Sequence, residues 1–366
     1  MDSAAPSEET VAQKLCVGID IGASSVKLCQ LARVKKGYAL ERFGVVPLPS
    51  ETIVDGALMN SARVVEAIQE LISAHRIKTK NAAIAISGHS VIIKKIPLPQ
   101  MTREELEDQI QWEAEQFIPF DINDVNLDVQ IVNAESVQKG QMDVVLVAAK
   151  KDYVNEYTSV VIEAGLEPAV CDIDAFAVQN MFESNYDLRP DQTYALVNIG
   201  AAKTNINIIA RGISSFTRDL TVGGNTFTEE IQKQLSVTRE EAETLKLGGL
   251  GSGETAAAPV DLVVPQDVDR AMKTVAESVT TEIQRSIDFY VATSADPAPA
   301  AIYVSGGTAR LATLTRAIEQ RMGVQIIVAD PFARIAVADS DREYVRSIGP
   351  AAAVAVGLAV RFPGDA

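Results

Sequence analysis

Cysteine and histidine are scarce in this 366-residue chain: Cys16, Cys29 and Cys171, and His75 and His89, all widely scattered. Such spacing excludes a disulfide framework and a zinc cluster. Basic charge is short as well, with 33 Lys and Arg against 49 Asp and Glu and a net charge of −16 at pH 7. Affinity for nucleic acid comes from clustered Lys and Arg on phosphates, so no nucleic-acid partner is expected. A nucleotide held by backbone amides and a magnesium ion stays open. Long apolar runs are missing: the longest uncharged stretch, Ser347 to Val360, contains Pro350 and falls short of the ~20 residues of a spanning helix. The first residues, Met1-Asp2-Ser3-Ala4-Ala5-Pro6-Ser7-Glu8-Glu9, carry neither the basic nor the apolar region of a signal peptide. A cytoplasmic protein without direct membrane insertion is expected. Gly-x-x-x-x-Gly-Lys-Ser/Thr is absent too, which excludes a P-loop fold.

What is present is 47% apolar content, ample for a packed core, in a length that favours two domains. Residues 1–13 read as disordered. Strand–turn–strand patterns follow at Leu15–Leu31 and again at Thr193–Ile209. Shifted by 178 positions, Ile19–Arg33 lies over Val197–Arg211, with Ile21/Ile199, Gly22/Gly200, Ala23/Ala201, Ala32/Ala210 and Arg33/Arg211 identical. Two strand–Gly–turn–strand units, each opening one half of the chain, predict two related domains facing each other across a cleft. Between them, Thr102 and Glu105 mark a helix start, and Leu106, Ile110, Ala114 and Phe117 recur at helical spacing up to Pro119. Residues 88–168 read as a compact α+β insertion. Trp112, Phe117 and Phe120 are expected in its core, the other reading being a groove border. The Gly248–Gly253 run reads as a helix stop and flexible loop.

A glycine at a hairpin tip lets backbone N–H groups approach phosphate oxygens with no Cβ in the way. Either turn alone reads as an ordinary β-turn; the pair reads as a grip on a polyphosphate from both sides. Asp20 then suits waters around a bridging magnesium ion. Ser24, Ser25 and Thr204 supply hydroxyls, and Lys27 or Lys203 a neutralising charge. Ser305-Gly306-Gly307-Thr308 follows a strand and opens a helix, a junction that either binds an anion or purine or is just a tight connection.

Together Gly18–Lys27, Val197–Thr204 and Val304–Thr308 resemble the phosphate-1, phosphate-2 and adenosine motifs of the actin/Hsp70/sugar-kinase ATPase superfamily. Within it, Gln111-Trp112-Glu113-Ala114-Glu115-Gln116-Phe117-Ile118-Pro119-Phe120-Asp121 resembles the signature of the PilM family, actin-like proteins of type IV pilus assembly related to the division protein FtsA. The resemblance implies an α/β actin-like fold with an FtsA-type inserted subdomain. A first domain would combine 14–87, 169–190 and a C-terminal helix at about 348–361. The insertion would occupy 88–168 and the second domain 191–347. It implies ATP or ADP with Mg2+ at Asp20, Gly22, Ala23, Ser24, Ser25, Lys27, Asn198, Gly200, Ala201, Lys203, Thr204, Gly306, Gly307 and Thr308. Gly223 and Gly224 would border the purine, and Glu243 and Lys246 contact the ribose or base. Asp174 occupies the place of the residue that positions the attacking water, although a carboxylate there equally caps a helix. The phosphate-2 motif usually carries aspartate where this chain has Asn198; an amide supplies no charge, so binding with slow or no hydrolysis is expected.

The family's role is recruitment: its members capture the cytoplasmic N-terminal peptide of PilN, in a groove between insertion and first domain, and so sit at the inner membrane. Further implied partners are other pilus platform and motor components and a second copy of the chain. The alternative is a polymerising FtsA-like protein, against which stands the short Phe362–Ala366 end, without the amphipathic anchor usual in FtsA. A small-molecule kinase is the third reading, and the insertion carries no signature of a catalytic base for it.

Overall fold

The computed structural model describes residues 14–133, 140–248 and 266–365. The expectations for residues 1–13 and for most of the Gly248–Gly253 loop fall outside these. In chain order the first part builds β1 (Val17–Ile21), β2 (Ser25–Val34) and β3 (Gly37–Pro47), a short hairpin of β4 (Ile53–Val54) and β5 (Ala57–Leu58), α1 (Ser61–His75) and β6 (Asn81–Ile86). Then come β7 (Val91–Pro99), α2 (Arg103–Glu115), β8 (Val125–Asn133), β9 (Gln141–Lys150), α3 (Lys151–Glu163), β10 (Glu167–Ile173) and α4 (Asp174–Asn185). The second half holds β11 (Thr193–Ile199), β12 (Thr204–Ala210), β13 (Ile213–Leu220), α5 (Gly224–Leu235), α6 (Arg239–Lys246), α7 (Gln266–Thr293), β14 (Ala301–Ser305), α8 (Ala312–Met322) and β15 (Gln325–Val328), then α9 (Arg342–Ile348) and α10 (Ala353–Ala359).

Two five-stranded sheets share one topology. Their orders are β10-β6-β1-β2-β3 and β13-β12-β11-β14-β15, each with an antiparallel meander on one side and two parallel strands on the other. The hairpin registers also coincide: Asp20 faces Lys27, and 178 positions on Asn198 faces Asn205. The repeat read from the sequence is therefore a repeat of backbone pairing.

Parallel neighbours need a crossover element, normally a helix, between them. For β6 and β10 that helix is α3, whose Tyr157, Val160 and Val161 pack into the same core as Val17, Ile19 and Ile84. The same core also takes in Ala149 of β9, so α3 lies against both the first sheet and the inserted strands. What is inserted is the three-stranded antiparallel sheet β7-β9-β8 with α2 on its face, closed around Leu106, Ile110, Ala114, Val144 and Leu146. α2 starts as expected, with the Thr102–Glu105 capping box formed in both directions. Trp112 departs from expectation: it is 75% exposed rather than in the core. Residues 106, 110 and 114 line one face, and a step of two turns a helical side chain to the opposite one. Phe117 and Phe120 are only partly buried, with the Lys94 ammonium 6.0 Å from the Phe117 ring centre and the Lys150 ammonium 4.5 Å from that of Phe120.

The connecting helices α4 and α10 cross between the halves. All seven residues of α10 are buried. A Cβ on Gly357 would fall 1.7 Å from the Ala177 carbonyl oxygen, and one on Gly18 2.4 Å from that of Ala355, so two glycines set how closely α10 lies against α4 and β1. The expected helix over Thr308–Met322 begins as a 3₁₀ turn, Gly307–Arg310, before α8. Strands β10 and β13 had no counterpart among the sequence expectations.

Candidate functional site

The turn from β1 to β2 is closed by the Gly22 N–H donating to the Ser25 carbonyl at 3.1 Å. Asp20 and Lys27, cross-strand partners beneath the tip, form an ion pair at 2.9 Å. A Cβ on Gly22 would sit 3.7 Å from both charged heads, so the glycine leaves the tip open above them. Ala23 is half-buried, Ser24 is exposed at the rim, and Ser25 is buried at the start of β2.

The second hairpin repeats the closure, Gly200 N–H to Lys203 carbonyl at 2.8 Å, with a different pair beneath it. Asn198 donates its amide to the Asn205 side-chain oxygen at 3.1 Å, in place of an ion pair. Other expected residues brace this turn. Thr204 donates to the Val222 carbonyl at 2.8 Å and Thr308 to the Gly200 carbonyl at 2.8 Å. The Gly224 N–H reaches the Gly200 carbonyl at 2.9 Å and that of Asn225 the Ala201 carbonyl at 2.7 Å. Thr204 and Thr308 are buried, their hydroxyls committed to carbonyls of the protein. Gly223 and Gly306 are required by close approach: a Cβ on Gly223 would meet the Gly200 and Ala201 oxygens at 2.7 Å, and one on Gly306 (φ +87°) the Ile199 oxygen at 2.3 Å. Gly307 leads on from this contact. Glu243 and Lys246 sit beside Gly224, where the Lys246 ammonium bonds Glu243 at 2.7 Å, Thr228 at 2.9 Å and the Gly224 carbonyl at 3.2 Å. Burial pushes the Lys246 ammonium down, against the pull of Glu243. All the second-domain candidates thus gather around one turn.

Asp174 opens α4 without bonding to that helix's end as a cap. It is pushed up to about 7, chiefly by burial and then by Asp20, with Asp219 adding to the push and Ser87 and Lys203 opposing it. Its field thus joins the first hairpin to the second domain. Lys203 does not reach toward the first hairpin: its ammonium donates to the Ser87 carbonyl at 3.0 Å. Asp219 of β13 accepts the Gly88 N–H at 2.6 Å. Asn205, Asp219 and Ser87 were absent from the sequence reading. Asn205 had a signal, being the shifted counterpart of Lys27; Asp219 meets Gly88 across 131 positions and Ser87 meets Lys203 across 116. Among the described residues no cluster of three or more His, Cys, Asp or Glu is arranged to hold a metal; Asp174 is the carboxylate that feels the field of Asp20.

Two like-folded halves joined by crossing helices, with glycine-tipped hairpins opening each half, define the actin-like ATPase fold. The chain belongs to the type IV pilus assembly protein PilM family, whose family description matches residues 18–362. A chain of a solved PilM-PilN type IV pilus biogenesis complex superposes with a TM-score of 0.82 at 28% identity, over 95% of this chain and 98% of that one. The ethanolamine utilization protein EutJ from Carboxydothermus hydrogenoformans shares the fold, with a TM-score of 0.56 at 17% identity over 96% and 90% of the two chains. In sequence, the cell division protein FtsA of Pseudomonas aeruginosa is 24% identical over 366 residues, covering 92% of this chain and 88% of the relative.

Proposed function

We propose that this chain is a nucleotide-binding adaptor of the type IV pilus assembly platform, recruited to the inner membrane through the N-terminal cytoplasmic peptide of a PilN-type protein. The observation that carries the reading is the end-to-end likeness to a chain of the PilM-PilN complex. Adenine nucleotide fits the paired hairpins. Gly22 and Gly200 leave both tips without a Cβ, Asp20 and Lys27 stand under one tip, and Glu243, Lys246, Gly223, Gly224, Gly306, Gly307 and Thr308 border the other. Magnesium, bound mostly through phosphates and water with Asp20 behind it, would neutralise the phosphate charge. The same groups favour binding over turnover. On the second hairpin an uncharged Asn198 faces an uncharged Asn205, so that hairpin itself brings no carboxylate to the metal.

The peptide has a candidate seat of about 540 Å³ between α2 and β8, reaching the start of α3, lined by Arg103, Glu107, Ile110, Asn123, Asp128 and Lys151. Among the described residues β8 pairs with β9 alone, which leaves one edge for an added extended segment. No described helix is long and apolar enough to cross a membrane, so a membrane role needs a partner or a surface contact. Other platform and motor components, and a second copy of the chain, are further partners of this reading.

The test is titration calorimetry of the full chain against a peptide copying the PilN N-terminus, with thermal-shift titration by Mg-ATP beside it. Binding of the peptide is expected; its failure would sink the adaptor role. Mg-ATP is expected to raise the melting temperature of the wild type and to lose that effect in Gly22→Val and Gly200→Val. Undiminished binding in both variants would refute the cleft.

A further inference from the structure

The junction between β6 and β7 is where the insertion leaves the first sheet, and the second domain holds it in an unusual way. Both polar ends of one peptide unit are taken. The Ser87 carbonyl accepts from Lys203 at 3.0 Å, and the N–H on the other side of that bond, that of Gly88, donates to Asp219 at 2.6 Å. Tyr153 of α3 donates to the same carbonyl at 3.0 Å. Gly88 has φ +103°, a conformation that favours glycine, and a Cβ there would lie 2.4 Å from the Lys203 ammonium and push that head aside.

Behind Asp219 runs a chain of buried side chains. The Ser305 hydroxyl donates to the Asn198 oxygen at 3.2 Å, the Asn198 amide to Asn205 at 3.1 Å, and the Asn205 amide to Asp219 at 2.8 Å. Every link runs donor to acceptor in one sense, ending on a carboxylate that takes two donors through its two oxygens. Ser305, Asn198 and Asn205 are all under 10% exposed. Its three inner members are buried, so a shift in one is passed to the next as a lost or re-made hydrogen bond, while Asp219 at the end is exposed and free to let go of its donors. Its inner members belong to the turns read here as adenosine and second phosphate sites, and its outer end is the root of the insertion.

We propose that the Ser87–Gly88 peptide unit couples the cleft to the insertion, with Asn205 and Asp219 as the positioning residues that carry the coupling. The inference rests on the nucleotide reading above. A polyphosphate at Gly200–Lys203 competes with the Ser87 carbonyl for the Lys203 ammonium, and any re-pairing of Asn198 passes through Asn205 to Asp219. Either event changes how firmly the insertion's root is held, and by reciprocity an occupant of the insertion changes nucleotide affinity.

Hydrogen exchange with mass spectrometry on the full chain tests this, with and without Mg-ATP. Wild type is expected to show nucleotide-dependent protection in a segment covering the first hairpin, and a nucleotide-dependent change of several-fold in a segment containing Gly88. Asp219→Ala is expected to speed Gly88 exchange without nucleotide and to abolish the nucleotide-dependent difference there, while the hairpin stays protected. Asn205→Leu, which cuts the chain but leaves Asp219 on Gly88, is expected to shrink the difference without the first effect. Should Asp219→Ala not fold, Asp219→Asn, of the same shape, takes its place. A folded Asp219 variant with the wild-type difference at Gly88 overturns the proposal. So does a wild type protected at the hairpin with no change at Gly88. A wild type protected at neither place removes the nucleotide reading and this inference with it.

Discussion

Asp174 shows what a cleft does to a single group. Held up near 7 by burial and by Asp20, it binds a proton in the folded chain over a range where an unfolded carboxyl does not. The sign follows: its contribution to stability is greatest near pH 4 and is lost as pH rises toward 7. Asp174→Asn, neutral throughout, should therefore gain stability relative to wild type as pH climbs from 4 to 7. Paired urea denaturations across that range check it, and parallel curves would show that the carboxyl titrates normally. Asn198 makes an opposite case, a polar group fully engaged without charge. An aspartate there would point an acceptor at the Asn205 oxygen, 3.1 Å away from the present donor. Asn205 would have to reverse, turning its own oxygen on Asp219. Asn198→Asp is expected to melt lower than wild type without magnesium and to show a steeper magnesium dependence of ATP stabilisation. An unchanged melting temperature in EDTA would mean that the amide chain carries no strain. Trp112 projects away from the buried stripe of α2, so Trp112→Ala should leave the melting temperature within about 1 °C, as surface substitutions usually shift stability by under ~0.5 kcal/mol. Calorimetry against the PilN-type peptide then reads its part in the interface cleanly, and unaltered affinity would remove Trp112 from it. Phe117→Ala is a poorer probe, because that ring packs on the insertion's core.

At the scale of elements, legibility followed the physics of pattern. Helix α2 was readable because its cap, its stripe and its Pro119 stop all agree. The paired hairpins were readable because glycine and alternation recur at one shift. Strand β13 was not: five of its eight residues are half-buried, Arg218 and Asp219 are exposed, and only Leu220 is buried, so no apolar rhythm marks it. Strand β10 was missed because it is exposed at Glu167 and Cys171 and buried mainly at its end. Sequence order says nothing about which sheet a crossover helix such as α3 covers. The targets of Lys203 and Asp219 were beyond reach for the same reason, since contacts across 116 and 131 positions leave no local trace. The small residues of α10 did carry a signal, which the packing explains. Gly357→Ala places a methyl group against the backbone of α4 and should lower stability by at least the ~1–3 kcal/mol typical of overpacked cores. A urea midpoint equal to that of wild type would mean that the two helices separate without cost.

Across the whole molecule, two copies of one topology have been put to different uses. In the second sheet the exit from β14 is the Ser305-Gly306-Gly307 turn, packed on the β11 strand end. The corresponding exit in the first sheet, after β6, carries the β7-β9-β8 sheet before the chain returns through α3. Because β6 and β10 stay hydrogen-bonded neighbours whatever lies between them, that excursion is topologically a detour and leaves the parent sheet unbroken. A lineage can lengthen, shrink or exchange such a detour while the strands at either side keep their partners. The inserted sheet can thus change in length or shape without disturbing the strand pairing of the two sheets beneath it.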